Sequence, residues 1–191
     1  CPAHRGIYPC TYDPSDIPFA YYGRFADNPT YMRDYGALAR DIAAGALPHV
    51  VFVKALGYRT EHPGYSTTVS DGMRFVSGVV SAIRGSRYAS DTLVLLTWDE
   101  GGGYFDHVAP PPAKSPIDGE ELGTRVPIFA IGRFAKKGHV SHVVMEHSSI
   151  VKFLEWNFTG ETGQLKARDT LVNNLGSLLD PNEVDLPVPE N

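Results

Sequence analysis

Cysteine is scarce in this chain of 191 residues: there are two, Cys1 and Cys10, both within the first ten positions. Such a pair suits either a short-loop disulfide in an exported protein or two free thiols. The spacing between them, with one histidine nearby, matches no recognised zinc pattern and argues against a cysteine-based metal site. Long apolar runs are also missing, and none approaches the ~20 residues that a bilayer-spanning helix requires. Basic runs are absent too. The densest group, Arg133, Lys136 and Lys137, reads as a solvated loop, and a formal net charge of -5 offers no general attraction to a nucleic-acid backbone. Neither a starting methionine nor a secretory signal pattern precedes Cys1-Pro2-Ala3-His4-Arg5, so the chain is expected to be a processed protein or a fragment of a longer one.

What is present is a core-forming composition. Apolar residues make up 42% and charged residues 20%, enough hydrophobicity to fold and too little charge for disorder. No internal repeat or linker divides residues 1–191, and a single domain is expected. The first thirty residues, rich in Pro, Tyr, Asp and Gly, read as an irregular surface segment. Tyr31, Tyr35, Leu38 and Ile42 recur at helical spacing and predict a helix over 31–44, stopped by Gly45. Pro48 to Val53 is a short β-branched run that predicts a buried strand. Met73, Val76, Val80 and Ile83 predict a second helix, with Ser70 or Asp71 as N-cap and Gly85 at its end. Thr92 to Trp98 is the strongest strand signal, apolar enough to be covered on both faces, and Val126 to Ile131 is another. Ile150–Phe158 and Leu171–Leu179 predict a last pair of helices. Strands alternating with helices imply an α/β fold with a largely parallel sheet flanked by helices.

One segment carries the chemistry. The Thr92–Trp98 strand runs directly into Asp99-Glu100-Gly101-Gly102-Gly103, then Tyr104-Phe105-Asp106-His107-Val108. In open α/β sheets, ligands bind beyond the carboxyl ends of strands, and two adjacent carboxylates are delivered there. Successive glycines let the backbone approach a ligand closely. Carboxylate oxygens with an imidazole suit a hard or borderline divalent ion, which could polarise a phosphoryl oxygen. The competing reading is a tight turn whose acids cap the segment after them. Glu61-His62-Pro63 follows the Val50–Val53 run and is a second candidate, since it also pairs an acid with a histidine after a strand. His139, His142 and His147 cluster ahead of the Ile150 helix, and His147 reads as a polar helix-entry residue rather than a ligand.

The linked order of these pieces resembles the bacterial phosphoesterase family that holds phospholipases C and related acid phosphatases, within the alkaline-phosphatase superfamily. The resemblance is carried by Leu47–Val53, Glu61-His62-Pro63, Thr92–Glu100, Gly102–Val108 with Pro110-Pro111, Gly123–Pro127 and Ser148–Phe153. It implies the C-terminal part of an alkaline-phosphatase-like fold and hydrolysis of phosphate mono- or diesters. It also implies a divalent metal (Ca, Mg, Mn or Zn) beside a hydroxyl nucleophile, and export from the cell. By position, Asp99 and Glu100 match the family's acidic metal ligands. His62, with Glu61 beside it, matches a histidine of the phosphate site, and His107, with Asp106, matches a group for leaving-group protonation or phosphate contact. The family's Glu-Asn ligand pair and its Ser or Thr nucleophile have no counterpart here: Glu190-Asn191 lies at the extreme C-terminus, and Ser66, Thr67 and Thr68 do not match in position. Either half of the site lies in an N-terminal half, or the chain is a shortened homologue that keeps the fold as a non-catalytic phosphate- or metal-binding or assembly module; the truncated sheet is expected to be covered by self-association or a partner chain.

Overall fold

The computed structural model describes residues 17–64, 67–185 and 187–190. Cys1, Cys10 and Ser66 lie outside the described residues, as does most of the expected irregular N-terminal segment. The chain groups into two compact units, Cys1–Ser90 and Asp91–Asn191.

In the first unit a 3₁₀ turn, Pro18–Tyr21, precedes helix α1, Gly36–Ala44. α1 starts five residues later than its apolar spacing predicts, because Asn28 takes Tyr31 and Met32 into a turn through its carbonyl. It ends as expected. Gly45 adopts φ 68°, a left-handed conformation that other residues reach only at a cost, and the Ala46 N–H returns to the Asp41 carbonyl at 2.8 Å. Helix α2, Val69–Arg84, is capped by Thr68 rather than by Ser70 or Asp71. The Asp71 N–H donates to Thr68 Oγ1 at 3.2 Å and the Thr68 N–H donates to Asp71 Oδ2 at 3.1 Å, a reciprocal capping box. α2 buries Gly72, Phe75 and Ile83, while Met73 from the expected apolar face is exposed. Tyr35, at the entry to α1, meets Phe75 with ring centroids 5.0 Å apart.

The expected Pro48–Val53 strand does not form. Val50 to Val53 are all exposed, Phe52 by 62%, and no β-ladder engages them among the described residues. A β-branched run becomes a strand only when a neighbouring backbone accepts its hydrogen bonds.

In the second unit β1, Val94–Thr97, pairs with β2, Ile128–Ile131, in antiparallel register from Val94↔Ile131 to Thr97↔Ile128. Among the described residues the sheet has two strands that run in opposite directions, so the expected largely parallel sheet is not formed within them. Residues 98–127 contain no helix to carry the chain back across the sheet, so β2 returns alongside β1. Both strands are half-buried rather than covered on both faces.

Helix α3, His147–Thr159, starts where the Glu146 N–H donates to Ser149 Oγ at 3.1 Å and stops at left-handed Gly160. Buried Lys152 on α3 donates from Nζ to the Val172 carbonyl at 2.8 Å. The expected Leu171–Leu179 helix is replaced by two 3₁₀ turns, Arg168–Thr170 and Gly176–Leu178. Side chains compete with the helix for backbone donors here. Buried Asp169 accepts from the N–H groups of Leu165 and Ala167 at 3.0 and 2.8 Å, and buried Asn174 accepts from that of Leu175 at 2.7 Å. Leu175, Leu179, Ala135 and Val188 form the core beneath these turns. An isolated bridge between Ala135 and Leu179 fastens the C-terminal segment to the chain that follows β2.

Candidate active site

The candidate site is built outward from the end of β1. The Thr97 hydroxyl donates to the Pro127 carbonyl at 2.9 Å, so the end of β1 is pinned to the approach of β2. Trp98 follows, edge-on to Phe129. Its carbonyl lies 2.8 Å from His147 Nε2. A carbonyl oxygen can only accept, so this bond requires the proton on Nε2. His147, the first residue of α3, thus tethers that helix to the strand end one residue before Asp99. The sequence reading of His147 as a helix-entry residue missed this tether, because it depends on a contact 49 positions away. His139 and His142 are exposed loop residues.

Asp99 and Glu100 emerge adjacent and exposed. Asp99 Oδ1 accepts from the Glu100 N–H at 3.1 Å, and Glu100 Oε2 accepts from the Gly102 N–H at 2.6 Å. Gly102 and Gly103 take φ 64° and 74°, and the Tyr104 N–H closes the turn on the Gly101 carbonyl at 3.0 Å. Gly101 is required for a different reason: a Cβ there would collide with the Thr124 hydroxyl. The tight-turn reading weighed from sequence holds. The acids do close a tight turn, and that turn presents them side by side at the strand end. Their oxygens are the donor type that a hard divalent cation prefers. Among the described residues, no group of three or more His, Cys, Asp or Glu side chains gathers into a metal cage.

Asp106 is held on several sides. Arg125 grips it with Nε to Oδ2 at 2.9 Å and Nη2 to Oδ1 at 2.8 Å, while the N–H groups of Arg125 and Val108 donate to it at 3.1 and 3.0 Å. The Arg125 guanidinium is the main cause that holds this carboxyl well below the usual carboxylate range, with the Val108 N–H next. The side chain is 11% exposed. Asp106 thus spans His107, binding the backbone just after it and the loop opposite, and leaves the His107 ring exposed. Arg125 stands in the Gly123–Pro127 stretch that carried the resemblance, so the sequence held a signal for it but not its partner.

A second arginine ties down the proline-rich loop. Arg168 donates to both Asp118 oxygens at 2.6 and 2.8 Å, to the Glu120 carbonyl at 3.2 Å and to Glu146 Oε2 at 3.1 Å. Hydrogen bonding from Arg168, then from the Glu120 N–H, lowers the Asp118 carboxyl to about 2. The loop that follows the Asp106-His107 pair is in this way clamped to the N-terminal end of α3.

Glu61 and His62 belong to the first unit. Glu61 adopts φ 65°, unusual for a residue with a Cβ. Its side chain lies over Gly72 in the first turns of α2, where any Cβ would strike it, and a carboxylate there is favoured by the helix dipole. His62 Nδ1 sits 2.8 Å from the Pro63 carbonyl, which requires the proton on Nδ1 and leaves the lone pair of the neutral ring on Nε2.

The family model described as the phosphoesterase family matches residues 17–159. A protein named non-hemolytic phospholipase C from Pseudomonas aeruginosa is 33% identical over 64% of this chain and 22% of its own length. Non-specific phospholipase C5 of Arabidopsis thaliana is 32% identical over 63% of the chain and 28% of its own. Phospholipase C B of Mycobacterium tuberculosis is 26% identical over 84% of the chain and 34% of its own. The chain therefore spans between 22% and 34% of the length of these curated relatives. With the family model covering well over half of it, the chain belongs to the phosphoesterase family.

Proposed function

We propose that this chain is the C-terminal part of a metal-dependent phosphoesterase that hydrolyses phosphate esters, of the phospholipase C or acid phosphatase type. The observation that carries this reading is the turn after β1, which holds Asp99 and Glu100 adjacent and exposed between left-handed glycines and a tethered strand end. The names of the relatives agree with a phosphate ester as substrate. Their greater length supports a nucleophile, further metal ligands and the remaining strands of a parallel, alkaline-phosphatase-like sheet outside this segment. Exposed Val50 to Val53 and the outer edges of β1 and β2 are where such strands, or a second copy or partner chain, would pack.

Asp99 and Glu100 would hold a divalent cation (Ca, Mg, Mn or Zn), which when bound offsets charge on the phosphoryl oxygens. The remaining chemistry falls to the chain's own side chains. The exposed His107 ring, with the backbone around it fixed by Asp106 and Arg125, would donate a proton to a departing oxygen. By its match to the family pattern His62 is the candidate for phosphate contact, with the lone pair of its neutral ring on Nε2. Glu61 and Asp106 act through these histidines, by fixing the loop and the turn that carry them. Export from the cell accords with the Cys1–Cys10 pair, and among the described residues no helix is long and apolar enough to cross a membrane.

A second reading is a non-catalytic phosphate- or metal-binding module that keeps the fold. It is favoured by the pair, rather than a cage, of acids after β1. Hydrolysis of p-nitrophenyl phosphate and p-nitrophenyl phosphorylcholine, with and without chelator, separates the two for this chain and for its full reading frame. The hydrolytic reading expects chelator-sensitive turnover that falls at least about a hundredfold in Asp99→Asn/Glu100→Gln. Undiminished turnover in that variant removes the metal role. Binding of metal without turnover by either protein supports the module.

A further inference from the structure

The first unit holds a groove that the reading above does not use. It measures about 460 Å³ and is lined by Tyr58, Arg59, Asp71, Arg74 and Phe75, where the 3₁₀ turn Gly57–Arg59 faces the start of α2. That size falls within the range of small-molecule sites. Its two kinds of wall are segregated by chemistry. Phe75 is nearly buried and supported from behind by Tyr35, so it offers a fixed apolar floor, and the Tyr58 ring stands at the rim. The Arg59 guanidinium lies over the Tyr58 ring, 5.2 Å from its centroid. Its face is thereby occupied and its N–H edge left to donate. Half-buried Arg59 has no carboxylate partner among the described residues. Arg74 is ion-paired with Asp71, but Asp71 also serves the Thr68 cap, and the Arg74 side chain is 73% exposed. Two guanidiniums against one engaged carboxylate make the groove's lining net positive, on a chain whose formal net charge is -5; the Glu61 carboxylate, over Gly72, lies outside that lining.

We propose that this groove binds a small amphiphilic anion: a carboxylate carried on a flat aromatic body, its oxygens taken by Arg59 and Arg74 and its ring laid between Phe75 and Tyr58. A planar guanidinium matches a carboxylate in two-point geometry, and desolvated ring contacts add to it. The site lies wholly within the first unit and asks nothing of a metal.

The test uses the 191-residue protein in the presence of chelator, titrated by calorimetry or by amide NMR with 1-naphthoate. Acetate supplies the charge without the ring, and 1-naphthol the ring without the charge. The groove predicts that naphthoate binds at least about tenfold more tightly than either, and that Arg59→Gln weakens it about tenfold or more. Arg74→Lys, which keeps the charge but not the fork, should weaken it less than Arg74→Gln. Both arginines reach the surface, and far-UV circular dichroism checks that each variant remains folded. Unchanged naphthoate affinity in Arg59→Gln/Arg74→Gln, or naphthol binding as tightly as naphthoate, overturns the proposal. With chelator present no metal remains at the Asp99–Glu100 turn, whose two carboxylates repel an anion, so Asp99→Asn/Glu100→Gln should leave naphthoate binding unchanged, and its loss would overturn the proposal. Naphthoate binding that survives that substitution supports the groove even if the hydrolytic reading fails.

Discussion

Gly102 offers a direct measure of how firmly the fold presents its two adjacent acids. It sits at φ 64°, and its N–H donates to Glu100 Oε2 at 2.6 Å. Alanine held in that left-handed conformation costs roughly 1–2 kcal/mol. Part of this is offset, by roughly 0.4–1 kcal/mol, because alanine also narrows the unfolded ensemble. The net of about 1 kcal/mol corresponds to about fivefold in the balance between closed and open turn at 25 °C. The turn is exposed, so the loss is local and the thermal midpoint moves little. Hydrogen exchange, corrected for intrinsic rates, should show protection of the amide at position 102 falling about fivefold in Gly102→Ala. The drop should be smaller in Gly102→Asn, because asparagine tolerates the left-handed region, and larger in Gly102→Val, whose branched Cβ does not. Titration with a divalent ion should rank the four proteins in the same order. Equal protection in all four would refute the claim that a left-handed glycine and a carboxylate hydrogen bond hold this turn.

Removing the α2 cap with Thr68→Ala should lower stability by about 1 kcal/mol, read as a shift in the urea midpoint at unchanged slope, and Thr68→Ser should recover most of it. The two arginine-held carboxylates set the acid behaviour. Asp106 and Asp118 have folded values depressed below the ordinary 3.8, Asp118 to about 2. Their stabilisation is therefore complete above the unfolded carboxylate range and is lost as pH falls through it toward the folded values. The urea midpoint of the second unit should decline from about pH 5 downward. Asp118→Asn should flatten part of that decline, and an unchanged profile would mean that the Arg168 clamp contributes nothing to folding.

The local punctuation of this chain was legible from its residues alone. Gly45 and Gly85 end helices as their positions suggested, and α2 is visible in its apolar period. Even there neighbours adjusted the reading. Thr68, not Ser70 or Asp71, became the cap because its hydroxyl and the Asp71 carboxylate satisfy one another's backbone donors. The Leu171–Leu179 pattern looked helical, but Asp169 and Asn174 spend their oxygens on local N–H groups and hold the backbone in short turns.

The sequence by itself determined the family, the strand that runs into Asp99 and Glu100, and the residue types suited to phosphoryl chemistry. These follow from order and spacing along one chain. Folding decided that β1 and β2 run antiparallel, and that Val50 to Val53 lie exposed with no ladder among the described residues. It also decided that Asp106 is held by Arg125, that Glu61 braces α2 and that His147 reaches the Trp98 carbonyl. Each of these turns on whether groups far apart in sequence meet. A residue's type states what it can bond to, but only the folded backbone decides which distant partner comes within reach.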